Sequence, residues 1–157
     1  MPDRTLSSPP PSTAVSLPPR YGSPISLAAA KVVMDAAERE ALRNHWPMVI
    51  AIVDSTGHLV ALHRLEQAQY GSVHVAQAKA ETALNFRRPT KTFEEALAGG
   101  GVGLRVLGVP QVTPLEGGIL LMRDGDIIGA IGVSGMQSAQ DAQVAQAGAD
   151  ALAQAPR

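Results

Sequence analysis

Twice in this chain a short turn sequence separates two runs of strand-forming residues. "MVIAIVD" (residues 48–54) and "HLVALHR" (58–64) flank "STG", while "EGGILLMR" (116–123) and "IIGAIGVSG" (127–135) flank "DGD". Asp124-Gly125 supplies the positive φ values that a tight hairpin turn needs, and the stretch from Asp54 to Gly57 offers equivalent turn chemistry. Strands joined by so few residues pair antiparallel, because a parallel connection needs a crossover of roughly a dozen residues or more. This feature removes the doubly wound parallel folds before any other residue is considered. The first strand is apolar on both faces and is expected to be central. The second alternates less cleanly, with His58, Val60, Leu62 and Arg64 expected on one side.

Helical periodicity fills the spaces around the hairpins. "SLAAAKVVMDAAEREALRNH" carries Leu27, Ala30, Met34, Ala37 and Ala41 at steps of three and four, with Ser26 as the expected N-cap and Pro47 beyond the end. "SVHVAQAKAETALNF" reads as a second helix capped by Ser72, with Ala76, Ala80, Ala83 and Leu84 on one face. "PTKTFEEAL" reads as a short third, where Thr92 and Glu95 would form a capping box. "AGGGVGLRVLGVPQVTP" reads as a glycine-rich loop. "SAQDAQVAQAGADALAQ" closes the chain as a helix, with Ser138 as N-cap and Asp141 at N3. The order α-β-β-α-α-β-β-α with hairpin-linked strands predicts an α+β fold, an antiparallel sheet flanked by helices.

Composition then narrows function. At 157 residues the chain is expected to form one domain over residues 24–157, long enough to bury a core without staples. Net charge −1 and 3% aromatic residues leave neither the basic surplus nor the stacking rings that nucleic-acid binding asks for. Cysteine is absent, which excludes disulfides, thiolate metal sites and a cysteine nucleophile. No run approaches the ~20 apolar residues of a membrane span, and the start lacks the apolar core of a secretory signal. A cytoplasmic location without membrane contact is the expectation. Residues 1–24 hold seven of the twelve prolines with several serines, and residues 1–23 read as a disordered or extended arm, either solvated or ordered against a neighbouring subunit.

The glycines of "DGDIIGAIGVSG" invite three chemical readings that their spacing does not sustain. Gly132-Val133-Ser134-Gly135 lacks the G-x-S-x-G elbow of a serine hydrolase. No Lys-Ser/Thr follows as in a phosphate-binding Walker loop. Dinucleotide binding needs G-x-G-x-x-G in a parallel βαβ unit, whereas these glycines sit in a hairpin strand. Gly129 and Gly132 are instead expected on opposite faces, giving close backbone approach. Ser134 and Gly135, where strand hands over to helix, retain a role in contacting an anionic ligand.

Several phrases together resemble the GlcG/HbpS family, the haem-degrading domain also similar to the C-terminal domain of PduO-type proteins. They are "VIAIVDSTGHLVALHRLE", "AQAKAETALNFRRPT", "LEGGILLMRDGDIIGAIGVSG" and "DAQVAQAGADAL". The resemblance implies a profilin- or PAS-like sandwich, assembly into homo-oligomers from dimer to octamer, and binding of a small-molecule ligand, haem or a related tetrapyrrole. The sequence departs from the family pattern in three places. Arg64-Leu65-Glu66 stands where the family has R-M-D, no proline follows Gly117-Gly118, and the first helix lacks the histidine of haem-binding members within residues 27–44.

Candidate site residues follow from residue chemistry and from this resemblance. His74, on the helix that resembles the family's pocket wall, and Thr113, near a threonine that family haem binders use, are the candidates for haem iron. His45 is equally well explained by the dipole of the preceding helix, and His58 and His63 face opposite ways. Arg64 could hold a ligand carboxylate in a bidentate fork, with Glu66 beside it and Lys79 facing the same cleft; a surface ion-pair network explains the same residues. Asp54, Gly117 and Gly118 complete the ligand-binding candidates, Asp54 doubling as a turn former. The competing reading is a cofactor-independent isomerase, lyase or hydrolase of a small carboxylic acid in a catabolic pathway. There Arg64 would anchor the substrate and Glu66 or His74 would move the proton.

Overall fold

The computed structural model describes residues 16–157. Its elements are α1 (Leu27–Arg43), β1 (Val49–Asp54), β2 (Leu59–Arg64), α2 (Ser72–Phe86), α3 (Lys91–Ala98), β3 (Gly118–Arg123), β4 (Asp126–Ser134) and α4 (Ser138–Ala151). Short 3-10 helices cover Gly101–Gly108 and Leu152–Gln154. The four strands form one antiparallel sheet in the order β2-β1-β4-β3. This is the expected α+β architecture in the expected order.

β1 lies inside the sheet and alternates between two cores. Ile50 and Ile52 pack with α1 and α4, while Val49, Ala51 and Val53 face α2. A strand covered on both faces is apolar at every position, which explains its unbroken hydrophobic run. Gly132 of β4 faces α2, and a Cβ there would collide with the backbone of Ala76 and Ala80. Gly129 faces the other way, against Ile25. The hairpin turn has φ of 52° at Asp124 and 85° at Gly125, the all-positive geometry that an Asp-Gly pair favours.

Two strands carry an extra residue. Ile52 pairs with Ala61 but Val53 with Leu59, so Val60 bulges from β2. Val60 and Ala61 therefore both pack toward the α1–α4 core, while Leu62 joins the α2 side, which corrects the expected single face. Ile128 bulges likewise from β4 against β3.

Helix starts also differ from expectation. Ser26 caps α1 as expected, accepting from the Ala29 N–H at 3.1 Å. Ser72 is already inside α2 after Gly71, and its hydroxyl is used elsewhere. Thr90, not Thr92, precedes α3, and its hydroxyl accepts from Gly118 N instead of capping. Gln137, not Ser138, caps α4 in a reciprocal box with Gln140, so Gln140 holds N3. The glycine-rich loop coils into the first 3-10 helix.

Of the expected arm, residues 1–15 lie outside the described residues. Its last part is extended beside the start of β4, where Ile127 N donates to Arg20 O and Gly22 N to Ile127 O, each at 2.7 Å. The Tyr21 hydroxyl adds a bond to Leu84 O at 2.8 Å.

Candidate functional site

The chain leaves β2 through alternating anchors and outward side chains. Leu65 N bonds Met48 O at 3.0 Å, and buried Leu65 and Ala68 pin the segment to the core. Arg64, Glu66, Gln67, Gln69 and Tyr70 are consequently exposed. They line, with Leu65 and Ala68, an open groove of about 520 Å³. The Arg64 guanidinium sits 5.5 Å over the Tyr70 ring, a cation–π contact that holds it in place.

Leu65, Glu66 and Gln67 also form one wall of a second groove of about 320 Å³, completed by Leu42, His45, Trp46 and Pro47. Its geometry comes from the end of α1. Trp46 N bonds Ala41 O at 2.9 Å and His45 N bonds Leu42 O at 3.0 Å, the paired closure of a helix that needs a left-handed residue at its centre. That residue is His45, at φ 58°, and Gln67 across the groove is left-handed too, at 65°. His58 bonds Thr56 and His63 bonds Glu38, whereas the rings of His45 and His74 have no hydrogen-bond partner among the described residues.

A buried polar junction lies elsewhere, between α2, β4 and α4. Lys79 Nζ donates to Asp141 Oδ2 at 2.7 Å and to Val133 O at 2.9 Å. Asp141 also accepts from Met136 N at 3.0 Å. Burial pushes the Asp141 carboxyl above the usual carboxylate range, while the Lys79 ammonium and the Met136 and Gly135 N–H groups pull against that rise. Ser134 and Ser72 join hydroxyls at 3.0 Å nearby. Gly117 closes over the junction, and a Cβ there would stand 3.0 Å from Lys79 Nζ.

The candidates therefore fall into separate places. Arg64 and Glu66 share the first groove, but Lys79, expected in that cleft, is buried at the junction with Gly117, Gly118, Ser134 and Gly135 around it. Asp54 stands at the far end of β1, about 16 Å from the level of Ser134. Its carboxylate accepts from Thr56 N at 2.8 Å, Thr56 Oγ1 at 2.6 Å and His58 N at 3.3 Å, a turn-forming set. Thr113 N bonds Thr82 Oγ1 at 3.0 Å, and His74 is exposed about 12 Å earlier along α2. Within one chain these two iron candidates are not drawn together.

Sequence reasoning passed over Asp141 as a site residue, although a signal was there. Asp141 lies on the buried stripe of Val144, Ala145 and Gly148, as Lys79 lies on that of Ala76, Ala80 and Ala83. Opposite charges on two apolar stripes imply a pair. Tyr70 and Trp46 carried no comparable signal, because only the folded loop sets them beside Arg64 and His45.

An antiparallel sheet sandwiched by helices, with surface grooves and a buried ion pair, defines a small α+β class of domain. Residues 25–150 match the model of the haem degrading protein HbpS-like family, and the chain belongs to that family. It is 42% identical over 110 residues to Protein GlcG of Escherichia coli (strain K12), covering 70% of this chain and 81% of the relative. It is 33% identical over 113 residues to corrinoid adenosyltransferase PduO of Salmonella typhimurium, 71% of this chain but 34% of that protein. Among solved structures, a PduOC:heme complex superposes with a TM-score of 0.73 at 30% identity, covering 82% of this chain and 94% of the other. HbpS superposes with 0.74 at 28% identity, over 82% and 90%. Among the described residues no helix is long and apolar enough to cross a membrane.

Proposed function

We propose that this protein binds a small planar ligand, haem or a related tetrapyrrole, as a homo-oligomer. The observation that carries the reading is its likeness to a relative's domain captured with haem, over most of both chains. The chemistry of this chain fits that ligand. His45 and His74 are imidazoles without intramolecular partners among the described residues, and a neutral imidazole is the common protein ligand of haem iron. Bound iron would supply redox and ligand-binding chemistry; the protein would supply the imidazole, apolar walls and a counter-charge for carboxylates.

Assembly into an oligomer, from dimer to octamer, is supported by apolar side chains left uncovered in one chain. Val102, Leu104 and Leu107 on the first 3-10 helix and Val109 after it are all exposed, and no residue of α3 or of that helix is buried. The carboxylic-acid enzyme reading finds less support. Arg64, Glu66 and His74 are exposed, and no hydrogen bond among the described residues links them.

Titration of the purified full-length chain with haemin, followed in the Soret band, tests the proposal. A saturable red-shifted band at stoichiometric haemin is expected. A spectrum equal to free haemin at all ratios overturns it.

A further inference from the structure

We infer that His45 is the axial donor to an iron porphyrin seated in the groove of Leu42, Trp46, Pro47 and Leu65, with Arg64 pairing its carboxylates. This rests on the haem-binding reading above and names the site within it. The first argument is conformational. His45 occupies the left-handed position that closes α1, at φ 58°. Glycine is the residue best suited to that position, since a Cβ there is crowded by the backbone. An imidazole held in this seat costs the fold something that a glycine would not.

The surroundings supply the rest of a porphyrin site. The His45 ring has no hydrogen bond among the described residues, unlike His58 and His63, so its nitrogens are open to a ligand. Trp46, Pro47 and Leu65 give flat or apolar walls, and Leu42 remains 53% exposed beside them. Across the ridge of Leu65 to Gln67 stands Arg64, with no salt bridge among the described residues. Its contact with the Tyr70 ring restrains a guanidinium whose forked donors suit a carboxylate. Glu66 on the same ridge has the wrong sign for a carboxylate, which makes the charge balance of the site testable.

The experiment titrates native, His45→Gly, His74→Ala, Arg64→Gln and Glu66→Gln chains with haemin and with metal-free protoporphyrin IX. In His45→Gly the imidazole-ligated visible and electron paramagnetic signature is lost, and haemin affinity drops by at least about 10-fold, since losing even a supporting residue of a metal site costs about 10–100-fold. Added free imidazole restores the signature, and the thermal midpoint of His45→Gly is no lower than native. Protoporphyrin IX binds native and His45→Gly chains alike, weakens with Arg64→Gln and tightens with Glu66→Gln. A native signature in His45→Gly, or its loss only in His74→Ala, overturns this site while leaving haem binding standing. Absence of haemin binding by the native chain overturns the underlying reading itself.

Discussion

Lys79 Nζ lies 2.7 Å from Asp141 Oδ2, and the two side chains are 2% and 3% exposed. The pair ties α2 to the start of α4 and, through Val133 O, to the end of β4. Two charges removed from water are tolerable here because each is met by the other and by backbone groups.

Removing one partner leaves the other buried and uncompensated. Lys79→Met or Asp141→Leu alone is expected to destabilise the protein by about 3–5 kcal/mol, and the double variant to recover much of that loss. Urea unfolding of the four chains checks this. Full additivity of the two single losses would show that the pair is not coupled.

The turn at Asp54 sets an acid dependence. Partial burial works to raise its carboxyl, but bonds from the Thr56 hydroxyl, Thr56 N and His58 N outweigh it and hold Asp54 below its ordinary value. A carboxyl depressed on folding contributes stability that is present above its unfolded pKa and lost as pH falls through the folded one. Asp141, raised on folding by burial, acts in the opposite sense: its contribution is present at low pH and is lost as pH rises through the raised value. Asp54→Ala is therefore expected to lose about 1 kcal/mol at neutral pH and to show a shallower acid limb. Thermal midpoints between pH 7 and pH 2.5 measure it.

Gly132 sets the distance between β4 and α2. A methyl group there meets the backbone of Ala76 and Ala80, which cannot rotate away. Gly132→Ala is expected to cost about 1–3 kcal/mol in denaturant unfolding. A loss below the error of that measurement would mean that α2 can slide from the sheet freely.

The helix-closing position should reverse the usual direction of a core or cap substitution. His45→Gly relieves a left-handed backbone and is expected to stabilise the ligand-free chain by about 1 kcal/mol. Calorimetry without haemin reads this directly, and a lowered midpoint would assign His45 a packing role.

Val102 and Leu107 are 73% and 69% exposed on the first 3-10 helix. On the proposed assembly, the double substitution Val102→Lys, Leu107→Lys is expected to lower the sedimentation coefficient while leaving the circular dichroism of the chain unchanged. An unaltered sedimentation coefficient would move the interface elsewhere.

Much of the fold was legible because it is written in short-range patterns. The Asp124-Gly125 turn, the Ser26 cap and the unbroken apolar run of β1 each depend on residues within a few positions. The candidate site was legible in pieces only. Arg64 and Glu66 do share a groove, yet Lys79 does not join them, because its stripe on α2 faces the sheet and Asp141.

By itself the sequence determined the antiparallel α+β architecture, the central place of β1 and the opposite facing of Gly129 and Gly132. Tertiary structure decided which polar groups met. Ser72, Thr90 and Ser138 have hydroxyls suited to capping, yet they bond Ser134, Gly118 and Glu94, which arrive from distant parts of the chain. Lys79 and Asp141 are 62 residues apart and have no local reason to pair. A hydroxyl or ammonium takes the partner that folding brings within about 3 Å, and that choice belongs to the packed molecule.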